Sequence, residues 1–307
     1  MSSAELVLDA RNATGESPVW RVAEQALYWA DIPRGVLNRW LADQQQLTQW
    51  QLPQMLACMA AWSGDAQRWV AGLEDGIYQV TASEGRADAA VQPLAKVAHA
   101  LPGMRFNDGR CDRQGRFLAG TMFMDMGAAK AVGQVFRLGA AELSSGRATD
   151  LQLGPLITPN GLAFSPDGRT LYLSDSHPSV QKIWAFDYDT ASGTPSNRRV
   201  FVDMQPLPGR PDGAAVDADG CYWICGNDAG LVHRFTPDGK LDRSLAVPVK
   251  KPAMCAFGGP ALDVLYVTSI RPDGADLSDQ PLAGGVFALH PGVSGLAEPA
   301  FAGAAPP

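Results

Sequence analysis

Four polar residues stand out for where they recur. Glu16 lies in Gly15-Glu16-Ser17-Pro18 and Asn107 in Arg105-Phe106-Asn107-Asp108-Gly109. Asn160 lies in Thr158-Pro159-Asn160-Gly161 and Asp212 in Arg210-Pro211-Asp212-Gly213. Asn107 and Asn160 are about 53 residues apart, and Asn160 and Asp212 about 52. Carboxylates and amide oxygens are the donors that a hard or borderline cation takes. Two carboxylates brought together repel, and a divalent ion removes that cost. Three protein oxygens or slightly more leave coordination positions for water and substrate, which marks a catalytic rather than a closed structural ion. Taken singly, Asn-Gly or Asp-Gly is an ordinary turn and Glu16 an ordinary exposed carboxylate. The recurrence makes the argument.

Other chemistries are poorly served. His99, His177, His233 and His290 are scattered without metal or triad spacing. No Gly-x-Ser-x-Gly elbow is present, and no phosphate loop or dinucleotide fingerprint. The cysteines Cys58, Cys111, Cys221, Cys225 and Cys255 have no paired spacing. That suits reduced thiols in a cytosolic protein. Cys221 and Cys225 share a strand face with Trp223, which reads as buried packing.

The elements that must position the four residues follow from a repeat. An aromatic residue, an aliphatic or aromatic one and a small one recur as Tyr28-Trp29-Ala30, Trp69-Val70-Ala71, Phe117-Leu118-Ala119, Tyr172-Leu173-Ser174, Trp223-Ile224-Cys225 and Tyr266-Val267-Thr268. Spacings of about 41 to about 55 residues are those of propeller blades. Turn signals such as 112–115, 165–170 and 217–220 precede the copies, with Gly supplying positive φ. A third strand follows each copy, with 35–41 and 182–187 the looser ones. Six such units predict an all-β, six-bladed β-propeller with a metal site in its central channel, a single domain over 1–307. Glu5-Leu6-Val7-Leu8 is expected to complete the last blade. The stretch 126–133 reads as loop. Glu16, Asn107, Asn160 and Asp212 are expected at equivalent places on four inner strands. Cys58-Met59 and Met254-Cys255 are expected to form an apolar wall on the other two.

Composition agrees. The 307 residues carry a net charge of −7 and are 46 % hydrophobic, with 32 Gly and 23 Pro. No basic block offers itself to nucleic acid. No signal-like start or membrane-length apolar run is present. The expected protein is cytoplasmic and monomeric, with neither nucleic acid nor membrane as partner.

The stretches 15–20 (GESPVW), 105–122 (RFNDGRCDRQGRFLAGTM), 158–176 (TPNGLAFSPDGRTLYLSDS) and 210–226 (RPDGAAVDADGCYWICG) resemble the SMP-30/gluconolactonase/regucalcin family, in the expected order, from about residue 6 to about residue 302. The resemblance implies one divalent metal held by Glu16, Asn160 and Asp212. It implies that Arg105 and Asn107 contact substrate hydroxyls. It implies a substrate contact for Asp125, by its place after Gly120-Thr121-Met122, where Phe123-Met124-Asp125-Met126 departs from the family pattern. The implied activity is metal-dependent hydrolysis of a sugar lactone, an aldonolactone, to the aldonic acid. Asp212 would act as metal ligand and general base together, and Arg105 and Asn107 would orient the polyol. Oxygen donors admit Ca, Mg, Mn, Zn or Fe(II). A phosphotriesterase or aryl-esterase on the same scaffold and a non-catalytic calcium-binding propeller are the rival readings. Asp175 is expected to anchor its loop, His177 to lie near the channel mouth, and Asp108 to cap a turn at Gly109.

Overall fold

Residues 4–303 are described by a computed structural model. The described chain forms six four-stranded antiparallel sheets. Blade one runs Gly15–Arg21, Ala26–Asp31, Val36–Leu41 and Gln46–Gln51. Blade two runs Cys58–Ala61, Arg68–Gly72, Gly76–Thr81 and Ala90–Lys96. Blade three runs Met104–Cys111, Phe117–Phe123, Val135–Leu138 and Thr149–Asp150. Blade four runs Pro159–Phe164, Thr170–Asp175, Lys182–Asp189 and Thr194–Asp203. Blade five runs Arg210–Val216, Tyr222–Asn227, Leu231–Phe235 and Leu241–Ala246. Blade six takes Pro252–Gly258, Val264–Ser269 and Val286–Leu289 from the end of the chain and Glu5–Leu8 from its start. Glu5–Leu8 pairs antiparallel with Val286–Leu289, as the sequence predicts. The first strands of successive blades pack on one another, and blade six on blade one, so the ring closes.

Alternation explains the recurring aromatic motif. A strand's successive side chains point to opposite faces, and here each face meets a neighbouring blade. Tyr222 and Ile224 pack toward blade four, while Trp223 and Cys225 pack toward blade six. A separate apolar cluster fills each of the six blade interfaces. Cys225 shares the face of Trp223, as expected, and all five cysteines are buried and unpaired. The expected loop 126–133 contains one 3-10 turn, Met126–Ala128, and a short α-helix follows at Ala140–Ser145.

After blade six the chain returns beneath the ring. Gly295 bridges to Asp217 and Phe301 to Trp62, and Phe301 is wholly buried against the Trp62 ring at 4.9 Å. Glu298 on this segment forms an ion pair with Arg110 of the blade-three inner strand. Protein therefore closes one end of the channel. Among the described residues no helix is long and apolar enough to cross a membrane.

Candidate functional site

The open end of the channel holds a cavity of about 270 Å³. Glu16, Asn107, Asn160 and Asp212 all line it, with Arg105 beside them. Each stands five residues before the residue that opens its hairpin turn, Arg21, Asp112, Ser165 or Asp217, the single blade position expected, but the strand's bulge falls differently around them. The inner strands of blades one, three, four, five and six each carry a β-bulge in which two residues face one on the partner strand. Glu16 and Asn160 are the last paired residues before their bulges. Asn107 and Asp212 lie inside theirs. A bulge re-aims a side chain, and all four turn into the one cavity. The bulges after Glu16 and Asn160 carry a left-handed residue, Ser17 at φ 52° and Gly161 at φ 63°. Asn160-Gly161 is thus a bulge inside a strand and not a hairpin turn. Ser17 tolerates the conformation with two hydrogen bonds to Met59, its Oγ accepting from N–H at 2.9 Å and donating to the carbonyl at 3.2 Å.

The apolar wall lies elsewhere than expected. Met59 and Met254 line a narrower space deeper in the channel, together with Ser17, Arg110 and Glu298. The open cavity is bounded instead by Ile32, Met122, Met126, Ile270 and Pro272, and among the described residues no aromatic ring lines it. Asp125 is exposed on the loop after blade three and is not among the lining residues. His177 is buried close by and bonds Ser179 Oγ and the Met126 carbonyl. Asp175 anchors its loop as expected, accepting N–H donors from Ile157, Thr158 and His177. Asp108 does not cap a turn. It sits in the bulge, and its Oδ2 accepts the Leu162 N–H at 2.7 Å, tying blade three to blade four.

Hydrogen bonds fix the polar side chains. Arg105 donates to Asn107 Oδ1 at 2.9 Å and to the Phe106 carbonyl at 2.6 Å. Asn107 Nδ2 donates to Asn160 Oδ1 at 3.1 Å and to the Pro159 carbonyl at 3.0 Å. Asn160 Nδ2 donates to Ser176 Oγ at 2.9 Å. Asn227, which the sequence reading missed, donates from Nδ2 to Asp212 Oδ2 at 2.6 Å. The Ser17 N–H reaches Glu16 Oε2 at 3.3 Å. These bonds use one oxygen of each carboxylate, and a carbonyl oxygen such as Asn160 Oδ1 keeps a second lone pair.

The cavity's two carboxylates are buried, and Arg105 and Arg210 compensate them only in part. Burial first, then Asp212 and Asp108, push Glu16 well above the usual carboxylate range. Burial pushes Asp212 up to about 7, against the pull of Arg210 and Asn227. Burial lowers Arg105, with Glu16 opposing. Two buried carboxylates with amide oxygens at hand suit a divalent ion. The donors are few in number. Among the described residues no cluster of three or more His, Cys, Asp or Glu is gathered for a metal, so a cation here would rely on amide oxygen and water.

The family described as SMP-30/gluconolactonase/LRE-like region matches residues 14–271. A 6-deoxy-6-sulfogluconolactonase of Pseudomonas putida is 39 % identical over 291 residues, 94 % of this chain and 95 % of the relative. An L-arabinolactonase of Azospirillum brasilense is 37 % identical over 302 residues, 98 % of this chain and 96 % of the relative. The crystal structure of a calcium-binding protein, regucalcin, from Agrobacterium tumefaciens superposes with a TM-score of 0.87 at 27 % identity, covering 98 % of this chain and 97 % of that one.

Proposed function

We propose that this chain, which belongs to the SMP-30/gluconolactonase/LRE-like family, is a divalent-metal-dependent sugar lactonase that opens an aldonolactone to its aldonic acid. The observation that carries the reading is the meeting of Glu16, Asn160 and Asp212 with the Arg105–Asn107 pair in one cavity. Two relatives with nearly full-length matches are named as sugar lactonases, which supports it. Glu16, Asn160 and Asp212 would hold the ion. When bound, it would polarise the ring ester carbonyl and lower the pKa of an attacking water.

The chain's own residues would do the rest. Asp212 Oδ1 faces no bond from Asn227, which holds Oδ2, and would take the proton of the attacking water. Asn227 would keep that carboxylate in one rotamer. Arg105 and Asn107 would hold the hydroxyls of the sugar and so fix the carbonyl against the water. Ile32, Met122, Ile270 and Pro272 would cover the less polar face of the ring. A phosphotriesterase or aryl-esterase reading loses support because, among the described residues, no aromatic side chain lines the cavity.

The test is hydrolysis of several aldonolactones by chelator-stripped protein resupplied with Ca, Mg, Mn, Zn or Fe(II), with the spontaneous rate subtracted. Metal-dependent proton release that Asp212→Ala abolishes while the fold persists is the expected result. Tight metal binding without turnover of any lactone would transfer support to the non-catalytic calcium-binding reading.

A further inference from the structure

The cavity has a cationic side that the hydrolysis of a neutral sugar lactone does not use. Arg210 and Lys251 both line it. Their charged ends meet on one carboxylate, Asp228. Arg210 Nε donates to Oδ2 at 2.6 Å, and Lys251 Nζ pairs with Oδ1. Arg210 is braced further by the Ser176 carbonyl at 3.2 Å and by Asn227 Oδ1 at 3.3 Å, both uncharged. Two cations therefore share one anion. Both keep some exposure toward solvent, Arg210 at 20 % and Lys251 at 28 % of the side chain.

Charge balance sharpens the point. On the reading above, Glu16 and Asp212 are neutralised by a divalent ion. Arg105, Arg210 and Lys251 then face Asp228 and, beside Arg105, Glu74, three cations against two anions, which leaves the cavity positive although the whole chain carries −7. A cleft of one sign inside walls of low dielectric concentrates ligands of the opposite sign. On the lactonase reading the carboxylate of an aldonic acid product would form beside the ion held by Glu16, Asn160 and Asp212, whose charge would already meet it. The cations stand at the other side of Asn227. That one carboxamide spans the two ends, 2.6 Å from Asp212 Oδ2 on its nitrogen and 3.3 Å from Arg210 on its oxygen.

We infer that the lactone taken by this site carries an anionic substituent, such as a phosphate or a sulfonate, at the end remote from the ring carbonyl, and that Arg210 and Lys251 receive it. The inference rests on the lactonase reading. Arg210 presents a planar fork suited to a tetrahedral oxyanion, and Lys251 a movable point charge. Asp228 holds both in place until the substrate's anion competes for them.

The experiment compares glucono-δ-lactone with its 6-phosphate and 6-sulfonate counterparts, using the metal-loaded protein with the ion saturating. The expected result is a kcat/KM at least tenfold higher for one or both anionic lactones, an advantage that shrinks as salt is raised. The better of the two names the anion. Lys251→Met and Arg210→Met should each lower the anionic-to-neutral ratio about tenfold. Equal kcat/KM on neutral and anionic lactones, or a ratio that neither variant moves, overturns the inference and leaves the lactonase reading standing. No turnover of any lactone overturns both.

Discussion

Strip the protein of divalent ions and its stability should fall as pH rises through neutrality, because of Asp212. Its carboxyl is pushed from the ordinary 3.8 up to about 7, chiefly by burial. A group raised in the folded state favours folding below its unfolded pKa, and that contribution is lost as pH climbs to the folded value. The whole loss is on the order of 4 kcal/mol, about three pKa units at 1.36 kcal/mol each. Between pH 5 and pH 8 on the order of 3 kcal/mol of it is expressed. With an unfolding entropy of about 2.1 cal/mol/K per residue, a chain of 307 residues loses about 5 °C in Tm over that interval. The assay is thermal unfolding of chelated wild type and Asp212→Asn at both pH values. The readout is the difference between the two proteins, which cancels the titration of surface groups. Asp212→Asn should be the more stable at pH 8 and should lose its advantage toward pH 5. Restoring a divalent ion should raise the wild-type Tm, and more at pH 8 than at pH 5. If the chelated wild type and Asp212→Asn change in parallel from pH 5 to pH 8, the account of Asp212 as a buried, under-compensated carboxylate is wrong.

Asn227→Leu removes the 2.6 Å donor to Asp212. A hydrogen bond to a charged group is worth about 1.5–3 kcal/mol, so kcat/KM on a lactone should drop roughly 10- to 100-fold. The acid limb of its pH profile should also move upward, a shift that a merely structural defect would not cause. Gly161→Ala should destabilise the fold by about 2–4 kcal/mol, since φ is 63° there and a Cβ would meet the Tyr222 hydroxyl and Ser174 Oγ; urea unfolding measures it. Ser17→Ala loses both buried bonds to Met59 and should cost about 1–3 kcal/mol. Ser17→Gly should cost less, because glycine relieves the positive φ, and the same urea titrations rank the two.

The six-bladed ring was legible because the repeat is a consequence of packing. Each second strand is sandwiched between two blades, so both of its faces must be apolar, and Tyr222-Trp223-Ile224-Cys225 shows it. Glu16, Asn107, Asn160 and Asp212 were legible for a different reason, since polar residues at a buried blade end interrupt that pattern. Where the bulge falls around each of them was not. A bulge adds one residue to a strand, and counting along the chain cannot see whether a side chain lies before the bulge or within it. Asn227, Arg210 and Lys251 were passed over for their roles because nothing local marks them. Asn227 ends a second strand, and only the ring folds it against Asp212. Two of the three share a motif, though: Arg210 stands two residues before Asp212, and Asn227 follows Trp223-Ile224-Cys225-Gly226 in the same blade. The covering of the far channel end by 290–303 left no trace in the repeat, being the one part of the described chain after the last strand.

The distribution of charge along the axis bears on why the proposed ion would be single and would sit at the open end. At the closed end Arg110 stands between Asp108 and Glu298, attracted to both. Its Nη2 also donates to the Ala214 carbonyl. Burial raises Asp108, while Arg110 and the Leu162 N–H draw it back. Protein charge thus compensates the lower carboxylates without a metal. At the open end Arg105 is spent on Asn107 and the Phe106 carbonyl, Arg210 is shared with Asp228, and Glu16 and Asp212 face each other with burial against them. Breaking a buried charge balance is costly, and an uncompensated buried carboxylate neutralises itself or recruits a cation. The upper pair has that need and the lower one does not. A titration of chelated protein with a divalent ion should therefore reach saturation at one ion per chain. Glu16→Gln should weaken that binding, and Glu298→Gln, which touches only the closed end, should leave the stoichiometry at one. Binding of a second ion with comparable affinity would mean that Arg110 does not compensate Asp108 and Glu298 as described.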